Sequence, residues 1–569
     1  MSKSTALAAL ALFTLLTFSL ATVAGAQPRA AGNRAASAPK VYTPVKGTVK
    51  RAGIVDLAKL PKITPGAQTS APTVDLPQDP LTPAQRQAYV NSVKANPPVK
   101  NPYPNSRRSA GKNPDFVVGG VTPLLTKSVD GPTNVQAGII QGHPDPAIAT
   151  DLSYVMEGVD SAVAIYRAST GALQYGPYAA SSFFAPVYNS GDFFFNPQMY
   201  YDVMRDRWVV SYLQFHSSAY YLDLAISVSN SPTQPTPGGQ YYIYQLGTNF
   251  EPSGSTPSNC QGMTMGMDYW GIYFTCQNYR GGFMGNTMLA LSKASLLSGG
   301  GVSSWLINNG LQTAAGAHPA FVTSPAIEEG VQDGEFFVST DAGWVAAGSN
   351  MGLCAWTNLS NISTMQPTVT CQSVNLGLTY DEPLLARQVG GSDPLFPGYG
   401  VKQVYYKSGR LYLALTIAIN GDHDGIYWAE IKPHLTTKAA HNPQWVNGAV
   451  VTQAAYFDYG SDYDLFDPAL MGTDENDITL AYNISGPTLY SSIELTGRKA
   501  SDTDNTLGQG NGYALVAGGT HTTSDWSAYS SCAISLNSVT RGGVWCAGEY
   551  TGSVADPGWN TRLYSFRTE

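Results

Sequence analysis

From about residue 145 to the C-terminus, short apolar runs alternate with polar turns, and four of the runs open alike. Asp145-Pro146-Ala147, Asn196-Pro197-Gln198, His318-Pro319-Ala320 and Asp467-Pro468-Ala469 each lead into a short apolar stretch and then, past a turn, into a second β-rich stretch. In the first copy Ile148–Asp151 leads to Tyr154–Met156, in the second Met199–Asp202 leads to Arg207–Tyr212, and in the last Leu470–Asp474 leads to Ile478–Tyr482. Repeats of this size, built from short strands, predict an all-β chain folded as a β-propeller. Helical periodicity is nearly absent after residue 115, which argues against α/β and bundle folds.

The strands group into seven four-stranded blades, with six as the alternative if weakly patterned units merge. The last unit shows three strands: Ala528–Leu536, Gly543–Tyr550 and Thr561–Phe566. Phe116–Leu125, at the start of the domain, is expected to supply the fourth. Such a join closes the ring and hides its last open edge.

Two stretches of one blade carry a resemblance. Asn196–Asp202 followed by Arg207–Tyr212 looks like the inner hairpin of secreted sialidase-like β-propellers, and Ala225–Ser229 followed by Gln240–Tyr244 resembles the outer part of the same blade. The resemblance implies the fold and export. It does not extend to sialidase chemistry: the chain has no Arg-Ile-Pro, and Ser339-Thr340-Asp341-Ala342-Gly343 begins a Ser-x-Asp-x-Gly-x-Thr-Trp box that Trp344-Val345-Ala346 does not finish. A clamp on a sugar carboxylate also depends on guanidinium geometry, and arginines are few.

The N-terminus reads as a signal peptide over residues 1–26. Lys3 is followed by an apolar or small run from Thr5 to Val23 and by the small-x-small site Ala24-Gly25-Ala26. The mature chain is expected to be secreted or periplasmic, monomeric and without a transmembrane segment. Residues 27–113 are rich in Pro, Ala, Lys and Ser and read as a largely disordered linker or pro-segment, with one helix at Ala84–Lys94. The β-propeller domain takes 114–569. Charge divides the same way: Gln27–Lys112 holds fourteen Lys/Arg against three Asp/Glu, whereas Asn113 onward carries seventeen against thirty-seven. A basic arm before an acidic body could bind an anionic polymer, lie against its own domain or remain a solvated linker; no nucleic-acid partner is expected.

Six cysteines fall into three local pairs: Cys260 with Cys276, Cys354 with Cys371, and Cys532 with Cys546. Each pair brackets a segment that can fold back as neighbouring strands, so three disulfides are expected within blades. No Cys-x-x-Cys spacing supports zinc.

On a propeller, loops into the inner strand and loops between the second and third strands share one face around the channel. That face collects the candidate ligand-binding residues Asp145, Asn196, His216, Arg280, His318, Trp344, His423 and Asp467, with His143, Glu157 and Asp160 nearby in sequence. Asp-Pro and Asn-Pro also start turns, which is the competing explanation for Asp145, Asn196 and Asp467. Asn420, Asp422 and Asp424 match the first half of a calcium loop and are the candidate Ca²⁺ ligands, although Ile431 stands where the closing Glu belongs. Asp458, Asp462, Asp464 and Asp467 form a second acidic group. Two functions follow: a non-catalytic exported protein binding an extracellular carbohydrate or protein at the channel mouth, or a carbohydrate-active enzyme (glycoside hydrolase or lyase) using acids on the same face. No Gly-x-Ser-x-Gly or phosphate-binding glycine loop is present.

Overall fold

The computed structural model describes residues 40–63, 124–138, 143–216, 219–231, 239–248, 259–279, 283–308, 320, 322–331, 334–340, 348–389, 395–437, 439, 444–473, 476–502, 513–516, 518–519, 530–534, 543–553 and 556–567. The signal peptide, the helix expected at Ala84–Lys94 and the rest of 64–123 lie outside them.

Alternating apolar residues make each segment a strand, and each strand turns back on the next. Among the described residues the pairing forms seven four-stranded antiparallel units, the architecture of a β-propeller. Unit I contains Ala147–Thr150, Tyr154–Val159, Ala162–Arg167 and Leu173–Ala179. Units II to VI begin at Phe193, Asn259, Val322, Val404 and Asp464. Unit VII joins Ser531–Ile534, Gly543–Ser553 and Asp556–Arg567 to Leu124–Thr133. The first strands of successive units lie side by side, and that of unit VII returns to that of unit I. Where they touch in units III to V they run parallel, pairing Met267 with Ile327 and Ala326 with Val404.

The closing strand described is Leu124–Thr133, which overlaps the expected Phe116–Leu125 at Leu124 and Leu125 and runs past it; residues 116–123 lie outside the described residues. It places Leu125 opposite Phe566 and Val129 opposite Leu563, so its apolar side chains reach two core clusters.

Turns at the far end of the first hairpins repeat one device. Asp151, Asp202 and Asp268 each accept two backbone N–H groups through Oδ1: Ser153 and Tyr154, Met204 and Arg205, Trp270 and Gly271. A short carboxylate that bonds its own chain two and three residues on holds the tight turn.

All three disulfides form as spaced. Cys354 lies directly opposite Cys371 and Cys532 opposite Cys546, with Cα atoms 4.0 and 4.1 Å apart; Cys260 and Cys276 are 5.5 Å apart. They fit an oxidising compartment. Among the described residues no helix is long and apolar enough to cross a membrane.

Residues 40–63 depart from the disordered linker that composition implies. Lys40–Tyr42 adds to the outer strand of unit IV, Val45–Val49 to that of unit III and Arg51–Asp56 to that of unit II, and Lys62 bridges to Tyr178 of unit I. The arm passes outside four consecutive units. Its cations lie on aromatic rings of the units it covers, Lys46 over Trp305 at 5.5 Å and Arg51 over Tyr242 at 5.3 Å. Gly53 is needed here, because a Cβ would stand 2.6 Å from Pro186.

Candidate functional site

The repeated openings are joints between units. Asp145, Asn196 and Asp467 all adopt positive φ (43°, 54° and 51°), and Gly262 and Gly400 do the same in units III and V (56° and 67°). In units II, III and VI the ladder register shifts at this point, a β-bulge that re-aims the strand. Asn and Asp tolerate the left-handed conformation because their short side chains bond locally. Here those side chains reach a neighbouring segment. Asn196 Oδ1 accepts Met263 N–H of unit III at 2.7 Å, and Asp467 Oδ1 accepts Gly398 N–H at 2.7 Å. Their own N–H groups donate backwards, Asn196 to Asp160 Oδ1 at 2.8 Å and Asp467 to Thr416 Oγ1 at 3.0 Å. At Asn196 and Asp467 the side-chain Oδ1 is thus engaged in a joint with a neighbouring segment.

A polar cluster gathers beside these joints. His143 Nδ1 lies 3.2 Å from Asp145 and 3.9 Å from Asp160. Burial penalises the His143 imidazolium, but the charges of Asp145, Asp160 and Glu549 outweigh it and raise its pKa to about 10. Burial pushes the Asp160 carboxyl well above the ordinary range, with His143 opposing and Asp145 adding to the shift. Lys402, two residues after Gly400, is held below its usual value by burial, against the pull of Asp145 and Asp467.

On the unit V side, Arg387 grips Asp464 with Nε at 2.8 Å and Nη2 at 3.0 Å, a two-point pairing that only a guanidinium makes. Asp464 also accepts the N–H groups of Arg387 and Asp424, at 2.8 and 3.1 Å. Asp424 Oδ1 accepts Leu384 N–H at 2.7 Å, and burial next to Asp464 raises its carboxyl well above the ordinary range. His423 is buried between Asp422 (2.5 Å) and Asp458 (3.4 Å); burial opposes its charge, but the two aspartates prevail and raise its pKa.

A cavity of about 30 Å³ is lined by Gln198, Tyr200, Met267, Ile327, Gln403 and Ser531 among others, room for one or two waters. Gln403 closes it by bonding both backbone groups of Cys532, Nε2 to O at 2.7 Å and N to Oε1 at 3.2 Å.

Of the residues expected at the mouth, Asp145 and Asp467 both act electrostatically on Lys402, and His423 lies in unit V. His216 stands apart, its Nδ1 on Asp192 Oδ1. Glu157 lies between units I and VII, next to Thr561 and Tyr166, and burial raises its pKa to about 8. Arg280, His318 and Trp344 lie outside the described residues. Asn420, Asp422 and Asp424 do not converge: Asn420 is an exposed turn residue at φ 53°, the Asp422 side chain is 56% exposed beside His423, and Asp424 is buried against Leu384. The segment is the hairpin turn in which Ile419 pairs with His423. That pairing sends its acids to different partners. Lys402 and Arg387 escaped the sequence reading; aligning Gly400 with the Asx residue of the other openings would have placed Lys402 at the mouth.

The fold and this mouth define a β-propeller with a paired, largely buried polar cluster beside the inter-unit joints. No protein-family model matches this chain, and no curated protein sequence does. Solved structures similar to it include a Dyadobacter fermentans protein of unknown function, 11% identical over 67% of this chain and 96% of that one, with a TM-score of 0.34. A subtype N10 neuraminidase-like protein from a little yellow-shouldered bat isolate is 9% identical over 64% and 96%, with a TM-score of 0.31. Trypanosoma rangeli sialidase is 8% identical over 78% and 60%, with a TM-score of 0.33. At these values the likenesses carry no argument about chemistry.

Proposed function

We propose that this is an exported, non-catalytic β-propeller that binds a carbohydrate at the mouth of its ring. One observation carries the choice of binding over hydrolysis: four of the mouth carboxylates already have structural work. Asp160 holds Asn196, Asp424 holds Leu384, Asp464 holds Arg387 and Asp467 holds Gly398. Glycoside hydrolysis needs two carboxyl groups open to the sugar, about 5–5.5 or 6.5–9.5 Å apart. Carboxyls held by inter-unit bonds are poorly free to attack or to shuttle protons. What the mouth offers instead is fixed donors and charges from several units, the ingredients of recognition.

The test is a glycan array and calorimetry with the mature protein, run beside a turnover assay on the same polysaccharides. Saturable glycan binding without turnover is expected. Hydrolysis or elimination of a polysaccharide would overturn the non-catalytic reading, and capture of a defined protein with no glycan binding would replace the ligand class.

A further inference from the structure

We infer that His143, Asp145 and Asp160 form a binding site for one divalent transition-metal cation, Zn²⁺ first among them. Among the described residues they are the only group of three or more His, Cys, Asp or Glu whose donor atoms all lie within 4.8 Å of one another. The imidazole nitrogen is part of the argument. Nδ1 of His143 is buried and faces both carboxylates, 3.2 Å from Asp145 and 3.9 Å from Asp160, so a cation bound there takes the place of the imidazole proton.

The scaffold holds the three donors in place without a metal. Asp160 N–H donates to Pro144 O at 2.8 Å, tying the turn that carries Asp160 to the segment that carries His143 and Asp145. Asn196 N–H occupies Asp160 Oδ1, which leaves Oδ2 as the atom turned toward His143. The oxygen is thus oriented by an outer hydrogen bond, as metal-ligating carboxylates commonly are.

Ligand chemistry selects the ion. One imidazole and two carboxylates suit Zn²⁺ and its first-row neighbours, whereas Ca²⁺ takes six to eight oxygens and Mg²⁺ keeps most of its water. Three protein donors leave a fourth tetrahedral position for water or a ligand oxygen. The His143 side chain is 12% exposed, so the site borders solvent.

The experiment uses the mature protein, stripped with chelator and titrated calorimetrically with ZnCl₂, with CaCl₂ and MgCl₂ as comparators. One Zn²⁺ per chain is expected, with calcium and magnesium at least tenfold weaker. His143→Gln and Asp145→Asn should each weaken Zn²⁺ binding tenfold or more, while melting in chelator as the parent does. Should either variant fail to fold, the absorption spectrum of the Co²⁺-loaded parent decides: a tetrahedral, oxygen-rich signature is expected. No zinc binding up to millimolar concentration, unaltered affinity in both folded variants, or an octahedral aqua-like cobalt spectrum overturns the site. Glycan binding in the presence of chelator is read separately, so loss of the metal site leaves the carbohydrate reading to its own test.

Discussion

Asp160 Oδ1 accepts the backbone N–H of Asn196 at 2.8 Å, and through that bond a turn of unit I fixes the opening of unit II. Asn196 then passes the constraint on by accepting Met263 N–H from unit III. A ring built this way is held by short polar joints as well as by apolar packing between units.

The joint makes an ordered prediction at Asn196. Replacing it with Gly keeps the left-handed backbone at φ 54° and removes the acceptor for Met263, which should cost about 1–3 kcal/mol. Replacing it with Ala removes the same acceptor and adds about 1–2 kcal/mol of left-handed strain. Urea unfolding should therefore rank the parent above Asn196→Gly, and Asn196→Gly above Asn196→Ala. Equal stabilities for the two variants would remove the strain from the account.

Glu157 gives a pH prediction. Burial raises its pKa from 4.5 to about 8. Between those values the folded state keeps a proton that the unfolded state releases, so the stability contribution is complete below pH 4.5 and lost as pH rises through 8. Glu157→Gln keeps the shape without the titration. The variant should melt close to the parent at pH 5 and several degrees above it at pH 8.5 by calorimetry. A parent-minus-variant difference that does not change with pH would show that this carboxyl is not the buried acid described.

The closing unit should depend on its cross-link. Cys532 and Cys546 face each other on neighbouring strands, fourteen residues apart. A loop of that size is worth about 3 kcal/mol, through restriction of the unfolded chain. Replacing both by Ser should lower stability by up to that amount, and non-reducing peptide mapping of the parent should find all three links inside units. A bridge between units would break the assignment.

Much of this fold was legible because strand signals are local. Alternation in Arg207–Tyr212, the Asx-Pro openings and the cysteine spacings each lie within twenty residues of their partners. The mouth was less legible, since Arg387 meets Asp464 and Lys402 senses Asp145 across long sequence gaps. The pairing of the arm was less legible for a different reason. Edge strands that are protected against aggregation carry Lys and Pro, so Lys40–Asp56 has the composition of a linker while Val45, Val49 and Val55 keep a strand's spacing.

That arm supports the last prediction. Its strands cover the outer edges of Gln240–Gly247, Val302–Ile307 and Thr368–Tyr380. Uncovered edges present unpaired N–H and C=O groups, which template pairing with another chain. Deleting residues 40–63, with the export segment kept, should therefore both destabilise the ring and promote association. Light scattering after gel filtration should show a monomeric parent and higher-order species for the deletion, and differential scanning fluorimetry a lower melting temperature. Mutating Lys46 and Arg51 to Ala should do less, because exposed cation–π contacts contribute only about 0.5–1 kcal/mol each and the backbone pairing survives. If the deletion stays monomeric and melts with the parent, the arm rests on the propeller without capping its edges.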